Sequence, residues 1–304
     1  MRHSFTIKTA MLEDLSSITG LFKEYETKVY GESQTSEMEI REMLTSIDEK
    51  DRKGLWENGE LKGFSILTVK DHRLPSLLLT SPDESMNLYM NELLDELCQS
   101  AVRKKKDSKD EKVIVLSANL ETEKETLEEY GFKPLRHWFQ MKLDLNDYKE
   151  GQGISQIVSE PGISTFHLSD TEKLHAIFEE VFSDHFDYHP TSLEEFKKRF
   201  GRDSFDPHLW FLLKYESDVI GFILCTVNDE TKIGEITHLG VQKKWRKKGF
   251  ANVLLHHAFR ALKQKGMTSA ALSVDSDSLT DATVVYQKAG MHVQRSFTRC
   301  DLTV

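Results

Sequence analysis

Two adjoining groups of residues could carry chemistry. The first is Glu235, a carboxylate set in the apolar, β-favouring run Ile233-Gly-Glu-Ile-Thr-His-Leu-Gly-Val241. A carboxylate between Ile233 and Ile236 is costly unless it is solvated or used. Burial there would raise its pKa toward the range of a general base, acting directly or through water. A rim carboxylate that binds a cationic substrate is the other reading. His238 is a rival base. Strand parity places it on the face opposite Glu235 unless a bulge intervenes, and a structural, satisfied histidine is its alternative. The second group is the basic turn Gln242-Lys-Lys-Trp-Arg-Lys-Lys-Gly-Phe-Ala251. Backbone N–H groups of Arg246 to Ala251 could cradle a phosphate. Gly249 permits close backbone approach, Ala251 permits tight packing, and Lys244, Lys247 and Lys248 add screened attraction. A solvated basic loop is the competing reading.

These groups need a strand, a turn and a helix in that order. Phe250–Gln264 supplies the helix, with Val253, Leu254, Leu255, Ala258, Phe259 and Leu262 at three- and four-residue steps and Lys265-Gly266 as its stop. The surrounding segment, 159–304, reads as strand Ile163–Phe166, helices Ser169–Phe182 and Ser192–Phe200, a hairpin Leu209–Tyr215 with Val219–Val227, the strand–turn–helix, strand Ala270–Val274, helix Asp281–Lys288 and strand Val293–Leu302. The segment 1–146 has the same order: strand Phe5–Ile7, helices Thr9–Tyr30 and Met38–Ile47, a hairpin turning at Asn58-Gly59, strand Leu77–Thr80, helix Met86–Val102, strand Val113–Leu116, helix Glu121–Tyr130 and strand His137–Leu145. Between them 147–158 is poor in large apolar residues and reads as a linker. The expected class is α/β (α+β mixed sheet), one β-α-α-β-β-β-α-β-α-β unit repeated.

A chain of 304 residues accommodates two cores of this size. A net charge of −10 argues against general nucleic-acid binding, although positive charge gathers at Arg103–Lys106 and Lys243–Lys248. The first of these has no glycine turn and reads as a solvated loop. No apolar run reaches membrane-spanning length and no secretory h-region is legible, so a cytoplasmic protein is expected. Cys98, Cys225 and Cys300 are widely spaced, without metal-ligand spacing, and read as reduced structural residues. No metal site is expected.

The residues Gly234–Val241, the turn Arg246-Lys-Lys-Gly-Phe-Ala251 and the segment Val285-Tyr-Gln-Lys-Ala-Gly-Met291 resemble the GNAT superfamily of N-acetyltransferases. The tandem arrangement resembles mycothiol synthase and related two-domain acetyltransferases. The resemblance implies acetyl-CoA as co-substrate, an amine acceptor and direct attack without a covalent enzyme intermediate. It implies two tandem domains with a cleft where the fourth strand splays from the fifth. In that cleft Leu239 and Val241 would offer backbone groups to pantetheine, Leu239 N–H would stabilise the oxyanion, and Gly240 would leave room. It implies Glu235 as general base and Tyr286 as the acid that protonates the thiolate. An asparagine common in the family is replaced by Leu279, with Ser276, Ser278 and Thr280 as the nearby hydroxyls. Acceptor selection is expected from Ser183–Pro190, through Asp184, Asp187 and Tyr188. In the first half the corresponding position, Leu77-Leu-Leu-Thr-Ser-Pro-Asp-Glu-Ser-Met86, has no glycine or cation, and Asp83 and Glu84 would repel a pyrophosphate. That half is expected to be degenerate. Other readings are a catalytically inactive CoA-binding scaffold and an acyltransferase using a longer acyl-CoA. The presence of both Glu235 and Tyr286 favours the enzyme over the scaffold. The protein is expected to be a monomer or homodimer.

Overall fold

The computed structural model describes residues 4–69, 73–104, 112–149, 162–216, 218–278 and 281–304. It divides into two compact units, Met1–Trp138 with Arg295–Val304, and Phe139–Gln294. The expected boundary at 146 and the expected membership of the final strand both differ from this division. The reason lies in two long strands. β6 (Lys133–Asp144) runs out of the first unit into the second, and β12 (His292–Thr303) runs back. Tyr148, expected in the 147–158 linker, packs instead in the second unit's core, where its hydroxyl meets His256 Nδ1 at 2.8 Å. Residues 150–158 lie outside the described residues.

In the first unit the sheet contains β1 (Phe5–Thr9), β2 (Arg52–Glu57), β3 (Glu60–Leu67), β4 (Arg73–Thr80) and β5 (Lys112–Ser117). The later part of β12 completes it, Thr298–Thr303 running antiparallel to Ser117–Lys112. The β2–β3 hairpin turns through Asn58 and Gly59, both at positive φ, as an Asn-Gly turn requires. Helices α1 (Leu15–Tyr30), α2 (Glu37–Ser46), α3 (Met86–Lys104) and α4 (Glu121–Tyr130) cover the sheet. Their apolar stripes bury residues such as Ile18, Leu21, Ile40, Leu44, Leu94 and Leu127 in one core.

β4 and β5 pair in parallel only from Arg73↔Lys112 to Pro75↔Ile114. Beyond that point a small cavity opens, lined by Leu78, Thr80, Met90, Val115 and Leu127 among others. Glu123 of α4 closes it, buried and accepting bonds from the Tyr25 hydroxyl, Ser117 Oγ (2.8 Å) and Ala118 N–H (2.8 Å). The turn into α3 supplies its own anion: Asp83 accepts the Ser85 N–H at 2.9 Å, and Lys28 donates to the Pro82 carbonyl.

A buried ion pair ties β12 to α1 inside this unit. Arg295 Nη1 donates to Glu26 Oε1 at 3.0 Å, its Nη2 donates to the Glu32 carbonyl at 3.0 Å, and its guanidinium lies 4.1 Å from the Tyr30 ring centre. Glu26 also accepts from the backbone of Gln34 (2.8 Å) and Thr35 (3.0 Å). Burial alone would raise the Glu26 carboxyl; these N–H donors and the Arg295 charge outweigh it and hold the pKa below the ordinary value.

In the second unit Phe139–Asp144 of β6 joins β7 (Gly162–Thr165), β8 (Trp210–Tyr215), β9 (Asp218–Asn228), β10 (Ile233–Val241) and β11 (Ser269–Asp275). One face carries α7 (Phe250–Gln264) and α8 (Ala282–Lys288) over a core that includes Ile223, Cys225, Ile236, Leu255 and Phe259. The other face carries α5 (Thr171–Phe182) and α6 (Leu193–Lys197) over Phe178, Phe196, Trp210, Phe222 and Leu224. Each fully buried Leu or Phe contributes about 1.5–3 kcal/mol by leaving water. Among the described residues no helix is long and apolar enough to cross a membrane.

Candidate active site

β10 departs from regular pairing where the sequence placed its chemistry. Ile236 faces Cys225 on β9 but His238 faces Leu224, so Thr237 is an inserted bulge residue. Its hydroxyl donates to the Leu224 carbonyl at 3.0 Å. The bulge resets parity. Glu235, opposite Thr226, and His238, opposite Leu224, therefore share the α5/α6 face, whereas regular alternation would have separated them. His238 packs with Phe178 and Phe182, ring centres 5.0 and 5.7 Å away. Glu235 is exposed, so burial does not supply the desolvation invoked from sequence.

The next residues present an open backbone edge. Parallel pairing of β10 with β11 spans Ile233↔Ser269 to Glu235↔Ala271, while β10 continues to Val241 and β11 to Asp275. Gln242 donates its N–H to the Ile220 carbonyl on β9 at 2.9 Å. Direction alternates along an antiparallel ladder, so Gly240 also points toward β9, and Leu239 and Val241 point to the edge β11 has left. The Val241 carbonyl there accepts Arg246 Nε–H at 3.2 Å. Gly240 leaves no room for a ligand: an added Cβ would lie 2.7 Å from the Phe222 ring and 2.8 Å from Val181, which fill its space.

The basic turn is built for close approach by an anion. Lys247 (φ 61°) and Gly249 (φ 84°) are both left-handed, two positions apart, which converges successive N–H groups just before α7. Among the described residues no acceptor meets the N–H groups of Lys247, Lys248, Gly249, Phe250 or Ala251. Arg246 N–H already bonds the Lys243 carbonyl at 3.3 Å and is not part of this set. Phe250 is buried against the α7 core with Trp245 beside it (5.9 Å between rings), so the turn is anchored from below. Lys247 and Lys248 are exposed, Lys248 Nζ standing 4.5 Å over the Trp245 ring.

The side chain of Arg246 is a clasp. Its Nη1 donates to Asp184 Oδ2 at 2.7 Å and its Nη2 to the Val181 carbonyl at 3.0 Å. Lys243 Nζ donates to Ser183 Oγ at 3.0 Å, and Gln242 to Glu180 at 2.9 Å. The end of α5 is thereby fastened to the turn. Asp184, expected to meet substrate, is consumed in that clasp, and the Arg246 hydrogen bond holds its carboxyl below the ordinary value. Tyr188 donates its hydroxyl to Glu179, which also accepts the Thr191 N–H at 3.1 Å. Asp187, at φ 55°, lies 3.8 Å from His189. Of the three expected acceptor residues, Asp184 and Tyr188 thus hold their own loop and turn together.

Tyr286 is half-buried on α8 against the α7-side core. Burial pushes its phenol up to about 12, so it is protonated at neutral pH. Its hydroxyl meets no partner among the described residues. Leu279 and Thr280 lie outside the described residues.

Residues 172–291 match the model of the Acetyltransferase (GNAT) family. The match lies wholly within the second unit. The chain is also similar to the mycothiol acetyltransferase of Streptomyces coelicolor, 27% identical over 148 residues, which are 49% of this chain and 46% of that protein. The Streptomyces bingchenggensis mycothiol acetyltransferase is 28% identical over 110 residues, 36% of this chain and 35% of that one. The chain thus spans less than half the length of the curated relatives it matches. In fold the likeness covers nearly the whole chain. A GCN5-related N-acetyltransferase from Sphaerobacter thermophilus superposes with TM-score 0.82 at 20% identity, over 98% of this chain and 95% of that chain. A tandem GNAT protein from the clavulanic acid biosynthesis pathway gives 0.75 at 10% identity, over 98% of each. The segments from β1 to β6 and from β7 to β12 follow the same element order.

The residues that sequence reasoning missed are Thr237, whose bulge rotates His238 onto the Glu235 face, and Arg199, which packs beside His238. Arg199 carried a signal in Phe196-Lys-Lys-Arg-Phe200, a cation interleaved with aromatics.

Proposed function

We propose that the protein transfers acetyl from acetyl-CoA to a primary amine by direct attack. The observation that carries this is the continuity of an open β10 edge with a nest of free N–H groups at the start of α7. The nest fits a pyrophosphate and the edge fits an extended pantetheine. When bound, acetyl-CoA supplies the activated acyl group. Leu239 N–H donates to the oxygen on which negative charge develops. Glu235 takes the proton from the amine, directly or through water, and the protonated Tyr286 hydroxyl gives one to the departing sulfur. Screening primary amines for release of free CoA tests this. No release with any amine, despite acetyl-CoA binding, would favour a cofactor-binding scaffold.

The first unit is proposed not to hold acetyl-CoA. Its strand gap is occupied by Glu123 and its α3 turn already holds the Asp83 carboxylate. Calorimetry on the full chain is expected to give a single acetyl-CoA per chain; two equivalent sites would refute the reading. The full chain is the proper sample, because a 1–146 fragment would lack the Thr298–Thr303 strand paired to β5.

Removing the clasp carboxylate should act on the cofactor side. Asp184→Ala is expected to raise the acetyl-CoA KM about tenfold, the scale of one lost charged hydrogen bond. A change confined to the acceptor KM would instead return Asp184 to the acceptor site.

A further inference from the structure

On the α5/α6 face of the second unit, Arg199 sits beyond α6 in an aromatic setting without an ionic partner. Its guanidinium lies 4.8 Å from the Phe178 ring centre and 5.0 Å from that of Phe196. Its Nη1 lies 3.4 Å from His238 Nε2 and 3.5 Å from Nδ1, both ring nitrogens at once, which is the geometry of a cation lying against the ring. Among the described residues no carboxylate stands within ion-pair distance of it. The acidic groups that act on it do so from farther off: Glu179 is engaged with Tyr188 and Thr191, and Glu195 with Lys198 at 2.5 Å. Burial, and then Arg202, push the guanidinium down to about 10, which still leaves it charged at neutral pH. Arg199 is only partly exposed, and no nitrogen of it is both enclosed and unbonded, so the rest of its donor fork reaches solvent.

A half-buried guanidinium stabilised by rings keeps most of its hydrogen-bonding capacity for something else. Its planar fork matches the paired oxygens of a carboxylate or phosphate. The parity reset at Thr237 places His238, and with it Arg199, on the face that carries Glu235. We infer that Arg199 is the acceptor-selecting residue of this site and that the acceptor is an amine bearing an oxyanion, a carboxylate or a phosphate. This rests on the acetyl-transfer reading for the position of the amine at Glu235. Amine and oxyanion are engaged by different residues, Glu235 and Arg199, so the length of acceptor that spans them is what the titration series reads.

The test measures binding first and turnover second. Linear ω-amino carboxylates of increasing length, ω-aminoalkyl phosphates and neutral ω-amino amides are titrated calorimetrically into the full chain saturated with CoA. At the optimal length an oxyanion is expected to bind about tenfold or more tightly than the matching amide. Which of the two anions wins identifies the class. Arg199→Gln is expected to abolish the preference and Arg199→Lys to retain part of it. Equal binding of acids and amides, or binding of neither, overturns the inference. A preference that survives in Arg199→Gln also overturns it. Oxyanion-selective binding with no acetylation of any amine overturns the acetyl-transfer reading alone.

Discussion

Glu235→Gln is expected to lower turnover by about 10²-fold or more at low pH while leaving acetyl-CoA affinity nearly unchanged. The pH dependence follows from the acceptor. An aliphatic amine is almost wholly protonated in mild acid, so removal of its proton limits the rate there and the loss is largest. As pH rises, the free-amine fraction grows and the deficit shrinks. Acetyl-CoA affinity is spared because the free N–H groups of Lys247–Ala251 and the Leu239 edge do not involve the carboxylate. Steady-state kinetics across pH, with calorimetry for acetyl-CoA, check both halves. Unchanged turnover would remove Glu235 from the mechanism. His238→Ala is the companion variant, since the Thr237 bulge puts both side chains on one face. A pH-dependent loss in that variant alone would transfer the base role to His238.

Arg295→Ala is expected to cost about 3–5 kcal/mol, because it strands the Glu26 carboxylate in a buried site. Glu26 and Arg295 are only 7% and 5% exposed, so water cannot replace the lost partner. The pH response has a definite sign. In the native protein the Glu26 pKa is lowered, so its stabilising contribution is present above the unfolded value and is lost as pH falls through the folded value. In the variant Glu26 has lost its counter-charge and takes up a proton more readily. Protonation relieves its penalty, and the difference from wild type narrows in acid. Thermal melts of both proteins from neutral pH down to mild acid give the comparison. Equal melting temperatures at neutral pH, or a gap that widens in acid, would refute the account.

Much of the fold was legible because its boundaries are written in local chemistry. Gly131 ends α4 in a left-handed cap, with its own N–H and that of Phe132 closing on Glu128 and Leu127. Lys265-Gly266 ends α7, and Asn58-Gly59 turns the first hairpin. The strand–turn–helix was legible for the same reason, since Gly249 and the lysines are neighbours in sequence. What escaped was set by partners far along the chain. Thr237 looks like any strand threonine until β9 is laid against it. The Arg246 N–H looks available to a phosphate until the Lys243 carbonyl is seen to accept it. Gly240 looks like space until Phe222 and Val181 fill it. The sheet joined by Arg295–Val304 depends on pairing with Lys112–Ser117, which no periodicity within the strand encodes. Tyr148 was the local warning that the supposed linker is partly core.

That late pairing bears on how the chain is made. Translation delivers Met1–Trp138 first, yet the strand that lies against β5 belongs to Arg295–Val304. The whole of Phe139–Gln294 must leave the ribosome in between. At typical synthesis rates this is a delay of roughly 10–30 s, long compared with the folding of a small domain. Through that interval the β5 edge of Lys112–Ser117 is open and unpaired, the kind of edge that chaperones cover and that other nascent strands can capture. The second unit has no such wait, because Phe139–Asp144 precedes everything it pairs with. The protein is therefore expected to complete its second unit before its first, against the direction of synthesis.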